Sequence, residues 1–276
     1  MTQTTTPTLS APSERLTDGE LRTLRDLFNE QGYVVLKNVV PRDRLEELTA
    51  HVRAEYNRVR STGGLFSGGG QVSGHLNCFP GEESRFVYDA LVQRGVIELV
   101  QSLWPTPLRM PNIGCNFNLP GSVIQHYHTD WPFRKEFLIV NVSAVDTDLV
   151  NGATEVIPGT HKQYIPYWRF ELERLPRYGK RLVSNQGDVL IRTSNLWHRG
   201  MPNRSSVPRP MLAFSWEDGG SIHDDPYVLD GGRIQFRPNF FRPSRLGRLR
   251  ERTFVKAPFT YSAYRIVDSI VTKKGY

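Results

Sequence analysis

The chain has 276 residues, 38% of them hydrophobic, and a formal net charge of +7. That length accommodates one large β-rich domain or two small ones, with enough apolar material for a core. No apolar run approaches the ~18 residues of a membrane-spanning helix, and two cysteines, Cys78 and Cys115, with no C-x-x-C pair make a disulfide framework a poor reading.

The first residues, MTQTTTPTLSAPSERL, lack the basic start and apolar stretch of a signal peptide. The expectation is a disordered polar tail over 1–15, then a single domain over 16–276 in the cytoplasm. Residues 17–30 read as a helix: Thr17 and Glu20 have capping-box spacing, Leu21, Leu24, Leu27 and Phe28 form the apolar stripe, and Gly32 ends it. A strand follows over 33–40. A second helix over 43–59 carries Leu45, Leu48, Val52 and Tyr56 on one side.

Residues 61–81 contain seven glycines but no G-K-[ST] ending, so a phosphate-binding loop is a poor reading. A flap over a site and a plain surface loop both remain open, with His75 and Asn77 as possible substrate contacts. Residues 83–104 read as one helix stopped by Pro105. From 107 onward the pattern changes to short strands, at 111–118, 123–130, 137–146, 153–157, 181–184, 188–193 and 210–217. Pro120-Gly121, Asn151-Gly152, Pro158-Gly159 and Gly187-Asp188 punctuate them. Helices flanking many short strands imply a mainly β fold, a double-stranded β-helix or jelly roll.

The late basic residues Arg233, Arg237, Arg242, Arg245, Arg248, Arg250 and Arg252 are broken up by Pro238 and Pro243, so they are not expected to form a helical stripe. They read as a solvated surface or as a contact for an anionic group, and not as a nucleic-acid interface. The aromatic-rich end, with Phe259, Tyr261, Tyr264, Ile266 and Val267, is expected to pack back onto the barrel.

The chemistry centres on NIGCNFNLPGSVIQHYHTDW, residues 112–131. On an extended strand, side chains two apart share a face, so His128 and Asp130 project together. An imidazole and a carboxylate are two thirds of the 2-His-1-carboxylate triad of non-haem iron oxygenases. His198, in LWHRGMPNRSSVPRP, is the candidate third ligand. Arg209 follows it, and its guanidinium suits a small dicarboxylate. Asn112 and Asn116 share a strand face and are amide candidates for the keto acid or the substrate. Gln125 and Asn141 are weaker candidates of the same kind, and each amide is equally readable as a satisfied buried hydrogen bond.

These stretches, with QGYVVLKNVVP at 31–41, NGATEVIPGTHK at 151–162 and GDVLIRTSNLWHRGMPNRSSVPRP at 187–210, resemble the phytanoyl-CoA dioxygenase family of Fe(II)/2-oxoglutarate oxygenases. The N-x-N-L-P-G and L-W-H-R-G-x-P-N segments are similar to those of its branch acting on antibiotic sugars. The resemblance implies Fe(II), 2-oxoglutarate and O2 as cofactors, His128, Asp130 and His198 as the iron ligands, and Arg209 as the anchor of the far carboxylate. It also implies Thr154 as a cosubstrate contact and His161 as a structural residue. The carboxylate at Asp130 favours oxygenation over the halogenation of relatives with a small residue there. His126 is read as a neighbour of the site, not a ligand, and Trp131 and Trp197 as walls. Trp168, Tyr164 and Tyr167 are candidates for the substrate mouth. The carboxylates of Glu217 and Asp218 are read as contacts for polar substrate groups, and His223, Asp224 and Asp225 as a loop. The implied substrate is a small molecule, a glycoside or other polar metabolite, with no nucleic-acid or membrane partner. Two rivals are a jelly roll that binds without turnover and a metal-dependent, non-oxidative enzyme on the same barrel.

Overall fold

The computed structural model describes residues 8–10, 15–62, 72–133, 135–236 and 244–271. Its strands are β1 (Thr8–Ser10), β2 (Tyr33–Lys37), β3 (His75–Cys78), β4 (Asn112–Asn118), β5 (Leu138–Ser143), β6 (Glu155–Val156), β7 (Lys180–Arg181), β8 (Val189–Thr193), β9 (His198–Arg199) and β10 (Arg209–Ser215). The α-helices are α1 (Asp18–Gln31), α2 (Arg42–Ser61), α3 (Arg85–Gln93), α4 (Val96–Ser102), α5 (Tyr167–Leu172), α6 (Arg245–Lys256) and α7 (Pro258–Val271). Among the described residues, one sheet has the order β1-β2-β8-β5-β10-β4-β3 and a smaller one the order β7-β6-β9.

The helix starts follow local chemistry. Thr17 and Glu20 make both halves of the capping box, and Gly32 closes α1 at φ 82°, a left-handed conformation that costs glycine little. The expected single helix over 83–104 is instead a 3-10 turn followed by α3 and α4, because the chain breaks at Arg94 and left-handed Gly95. Two further expectations need correction. Arg245, Arg248 and Arg252 do share one face of a helix, since α6, capped by Ser244, begins after both prolines. Within the stretch read as a polar tail, Thr8–Ser10 pairs in parallel with β2. Arg237, Arg242 and residues 63–71 of the glycine-rich flap lie outside the described residues.

The large sheet has two faces of opposite character, and this positions the site. One face carries Val34, Leu36, Leu76, Cys78, Cys115, Phe117, Val140, Val142, Val189, Ile191, Leu212 and Phe214, all buried in one core with the flanking helices. Cys78 and Cys115 face each other across β3 and β4 as buried thiols. The opposite face is largely polar over β3, β4, β10 and β5, while at β2 it carries Tyr33 and Val35 in a small apolar cluster. In register across the strands lie His75–Asn118–Arg209, then Asn77–Asn116–Met211–Ser143. Next come Gly114–Ala213–Asn141–Leu190, and finally Asn112–Ser215–Ile139–Arg192. Sheets normally turn their polar face to water. Here Arg209, Asn118, Asn141 and Arg192 are all buried, because the small sheet and the segment 122–130 cover them. That lined interior is the chamber of a jelly roll.

Candidate metal centre

His128 and His198 are held opposite one another by a mutual backbone pair. Each N–H donates to the other's carbonyl at 3.0 Å, and directly opposed residues of an antiparallel pair point to the same side. The expected strand 123–130 is not continuous. It is an extended segment touching the small sheet at the His128–His198 bridge and through Gln125 N–H to Gly200 O at 2.9 Å. Asp130 is pinned by its own N–H to Ser194 O at 3.0 Å. The three potential ligand atoms lie within 4.8 Å of one another, and the imidazole ring centroids are 4.5 Å apart.

Hydrogen bonds fix which ring atoms face inward. His128 Nδ1 donates to His126 O at 2.8 Å, and His198 Nδ1 donates to Leu196 O at 2.9 Å. A carbonyl only accepts, so each proton sits on Nδ1 and each Nε2 is turned to the centre, as metal-binding histidines require. His198 Nε2 is 3.5 Å from Asp130 Oδ1. Burial, then the neighbouring His198, pushes the His128 imidazole down to about 4, so it is neutral at pH 7. Burial by itself would raise the Asp130 carboxyl; the charge of Arg192, followed by His198, outweighs it and holds Asp130 well below the usual carboxylate range. A neutral nitrogen and an ionised oxygen are ready for a cation without further proton loss.

Buried neutral histidines also make the fold acid-labile. An unfolded imidazole titrates near ~6.5, above the folded value of about 4 for His128. Between those values the unfolded chain binds more protons, so stability is fully present above the higher value and falls as pH drops toward the lower one. His75, His126 and His161, all lowered chiefly by burial, add in the same direction. His51, raised by Glu83 on the exposed surface, runs oppositely and weakly. Thermal melts of the metal-free protein are expected to show a falling Tm across that window, and a flat profile would contradict it.

The remaining site candidates fall around this centre as follows. Arg209 is 3% exposed. Its Nη1 reaches Met211 Sδ at 3.6 Å, and its Nε is buried with no partner among the described residues. Burial pushes its guanidinium down to about 10. Asn141 is 2% exposed, with Oδ1 accepting from Arg192 and Nδ2 without a partner among the described residues. Thr154, Asn141 and Met211 line one cavity. Asn116 faces the chamber beside Met211, whereas Asn112 stands at its exposed rim beside Ser215. Gln125 Oε1 accepts from Gly200 N–H at 2.8 Å, which ties it to the strand of His198. His75 Nε2 donates to Val123 O at 2.8 Å, and Asn77 faces the chamber beside Asn116.

Other residues are drawn elsewhere. The His126 ring stacks on Tyr261 of α7 at 3.8 Å and 9° and is not in the ligand cluster. His161 Nε2 meets Asn29 O at 3.2 Å, a structural contact. Trp197 stacks on Phe170 at 4.1 Å, as a wall behind His198. Glu217 lies within electrostatic reach of Asp130, its carboxyl raised mainly by burial. Asp225 pairs with Arg85 and is not in the ligand cluster.

Sequence reasoning passed over Arg192. Its Nη1 binds Asp130 Oδ2, and its side chain is 7% exposed. The signal was present: a lone charge in the apolar strand VLIRT, two residues from Leu190 and on the chamber face. Also unread was the link behind the histidines, where Tyr127 OH and Arg199 both bind Glu155 Oε1, the latter at 2.8 Å through Nε.

The description "Phytanoyl-CoA dioxygenase (PhyH)" matches residues 28–211. The chain belongs to the phytanoyl-CoA dioxygenase family. It is 24% identical over 150 residues to a probable alpha-ketoglutarate-dependent hypophosphite dioxygenase of Stutzerimonas stutzeri, a match over 46% of this chain and 52% of that protein. The chain thus spans about half the length of that curated relative. Among solved structures it resembles the epimerase SnoN in complex with Fe3+, alpha ketoglutarate and nogalamycin RO, with TM-score 0.55 and 18% identity over 72% of this chain and 84% of SnoN. It also resembles HygX from Streptomyces hygroscopicus with nickel, 2-oxoglutarate and hygromycin B bound, with TM-score 0.54 and 16% identity over 72% and 86%. The carbocyclase SnoK matches with TM-score 0.55 and 18% identity over 84% and 90%. At these identities the likeness establishes the jelly-roll fold.

The residues present fit the family's cofactors. Two imidazole nitrogens and one carboxylate oxygen suit Fe(II): His128, Asp130 and His198 would hold it, with three protein ligands leaving positions for 2-oxoglutarate and O2. The buried Arg209, whose Nε has no partner among the described residues, suits the far carboxylate of 2-oxoglutarate. No helix of the described residues is long and apolar enough to cross a membrane.

Proposed function

We propose that this chain is an Fe(II)- and 2-oxoglutarate-dependent oxygenase that hydroxylates or oxidatively cyclises a small-molecule natural product, one that carries a sugar. His128, Asp130 and His198 hold the iron, and Arg209 holds the cosubstrate. The observation carrying this is Arg209: a guanidinium buried with no anion beside it among the described residues, on the same sheet face as Arg192, which binds Asp130 of the ligand cluster. A buried unpaired charge costs several kcal/mol, on the order of what a matching anion returns, so the site is built for one.

Each residue has a task in this reading. The Nε2 atoms of His128 and His198 and Oδ1 of Asp130 coordinate. Arg209 orients the keto acid by a two-pronged contact, with Thr154 and the free Asn141 amide donating to its oxygens. Asn116 and Gln125 border the same space. Bound iron with 2-oxoglutarate and O2 supplies an oxidant able to break an unactivated C–H bond, with the keto acid leaving as succinate and CO2. The apolar wall of Trp197 and Phe170 behind the small sheet keeps the ligand strands rigid.

Support for the substrate class comes from SnoN and HygX, which are described with nogalamycin RO and hygromycin B, and from the polar chamber itself. Anaerobic addition of Fe(II) and 2-oxoglutarate is expected to give a weak visible charge-transfer band, and admitting O2 with substrate to give succinate. Metal-loaded protein with no band would overturn the reading. Turnover indifferent to oxygen would favour a non-oxidative enzyme, and tight binding without turnover a binding module.

A further inference from the structure

We propose that Arg192 is a positioning residue that sets the posture of Asp130 toward the metal and of Asn141 toward the cosubstrate, so that one guanidinium couples the two binding events. The inference rests on the proposed function for the identity of both ligands. Its evidence is the fork itself. Nη1 takes Asp130 Oδ2, and Nε donates to Asn141 Oδ1 at 3.2 Å.

The consequences follow atom by atom. A carboxylate can grip a cation with one oxygen or two. With Oδ2 engaged by Arg192, Oδ1 is the oxygen that faces His198 Nε2 at 3.5 Å. Asp130 would thereby offer Oδ1 first to a bound ion, with its carboxylate plane fixed by the guanidinium. At the other prong, Asn141 gives its oxygen to Arg192, so its Nδ2 donors must point away. That nitrogen is buried and has no partner among the described residues, and Asn141 lines the cavity that Thr154 and Met211 also line. Backbone register makes the reach possible: Arg192 on β8 sits opposite Ile139 on β5, and Asn141 is the next residue on that face.

A planar guanidinium can serve both prongs, whereas an ammonium is a point donor that cannot span them. This separates positioning from charge. If Arg192 mattered only as a nearby positive charge, Arg192→Lys, which keeps that charge, would leave divalent-metal binding unchanged. If it positions Asp130, removal weakens binding, by roughly the 10–100-fold typical of partners that orient metal ligands.

The test titrates the metal-free protein with Co(II), read by its visible absorption, and then titrates the Co(II)-loaded protein with 2-oxoglutarate. Arg192→Lys, which keeps the charge, is expected to weaken Co(II) binding by about 10–100-fold, to change the band shape, and to weaken 2-oxoglutarate binding as well. Asn141→Ser is expected to weaken 2-oxoglutarate alone. Arg192→Met should resemble Arg192→Lys in both titrations; if it fails to fold, the lysine variant still decides. Parent-like binding of both ligands by Arg192→Lys overturns the proposal, as does tighter Co(II) binding in Arg192→Met. A parent protein that takes up neither Co(II) nor 2-oxoglutarate overturns this proposal together with the proposed function. A parent protein that binds both, yet forms no succinate with Fe(II), O2 and substrate, sinks the oxygenase reading and leaves the coupling standing.

Discussion

His128→Ala and Asp130→Asn proteins are expected to fold, to lose Fe(II) binding by more than the roughly 10–100-fold that outer partners of a metal cost, and to form no succinate. The choice of variant at Asp130 matters. Asp130→Ala would leave Arg192, itself buried, without its anion, and breaking a buried pair costs about 3–5 kcal/mol. Loss of activity would then be confounded with loss of structure. Asp130→Asn retains an oxygen that can accept from Arg192 while removing the ligand charge. His128→Ala removes an imidazole whose Nδ1 partner, the His126 carbonyl, lies at 2.8 Å, a smaller structural debt. Circular dichroism and Tm establish folding; metal content and succinate establish the defect. Either variant with parent-like turnover would remove that residue from the ligand set.

Arg209→Met should separate stability from function in opposite directions. In the parent, the guanidinium is 3% exposed with an unpartnered Nε, and burial has pushed it down to about 10. Folding the ligand-free chain therefore carries an uncompensated charge, and an apolar side chain of similar length is expected to leave Tm unchanged or raised. The 2-oxoglutarate requirement should rise steeply. Truncating one partner of a buried charge pair costs about 2–5 kcal/mol, or roughly thirty- to several-thousandfold in KM. A second readout follows from linkage: 2-oxoglutarate with metal should raise the parent's Tm, and that rise should vanish in the variant. An unchanged KM would take Arg209 out of this role, and a large fall in Tm would make it structural.

The start of the first helix could be read to the residue, because Thr17 and Glu20 cap it through contacts three residues apart. Strands β2, β4, β5, β8 and β10 of the large sheet were readable to within a few residues from their short apolar runs between turn residues, whereas β1 and β3 lay in stretches read as a polar tail and a loop. The segment 123–130 was less so. It was expected as a continuous strand, yet it pairs at isolated points, since its hydrogen bonds go to partners some seventy residues later (Gln125 to Gly200, His128 to His198). The aromatic-rich end packs back as expected, as helix α7, whose Tyr261 meets His126 and Tyr167 of α5.

At the site, sequence alone determined the chemical types: H-x-D on an extended stretch, a distant histidine, an arginine beyond it, and amides at alternating positions. Those follow from spacing two along a strand, which any extended chain obeys. What only the tertiary structure decided is which of these groups have partners and which do not. Arg192 and Arg209 are both chamber-facing arginines, indistinguishable by composition. One spends its charge on Asp130, and the other is left open to a ligand. That difference depends on strands β8, β5 and β10 being neighbours, a fact of pairing across long chain separations that no local pattern encodes.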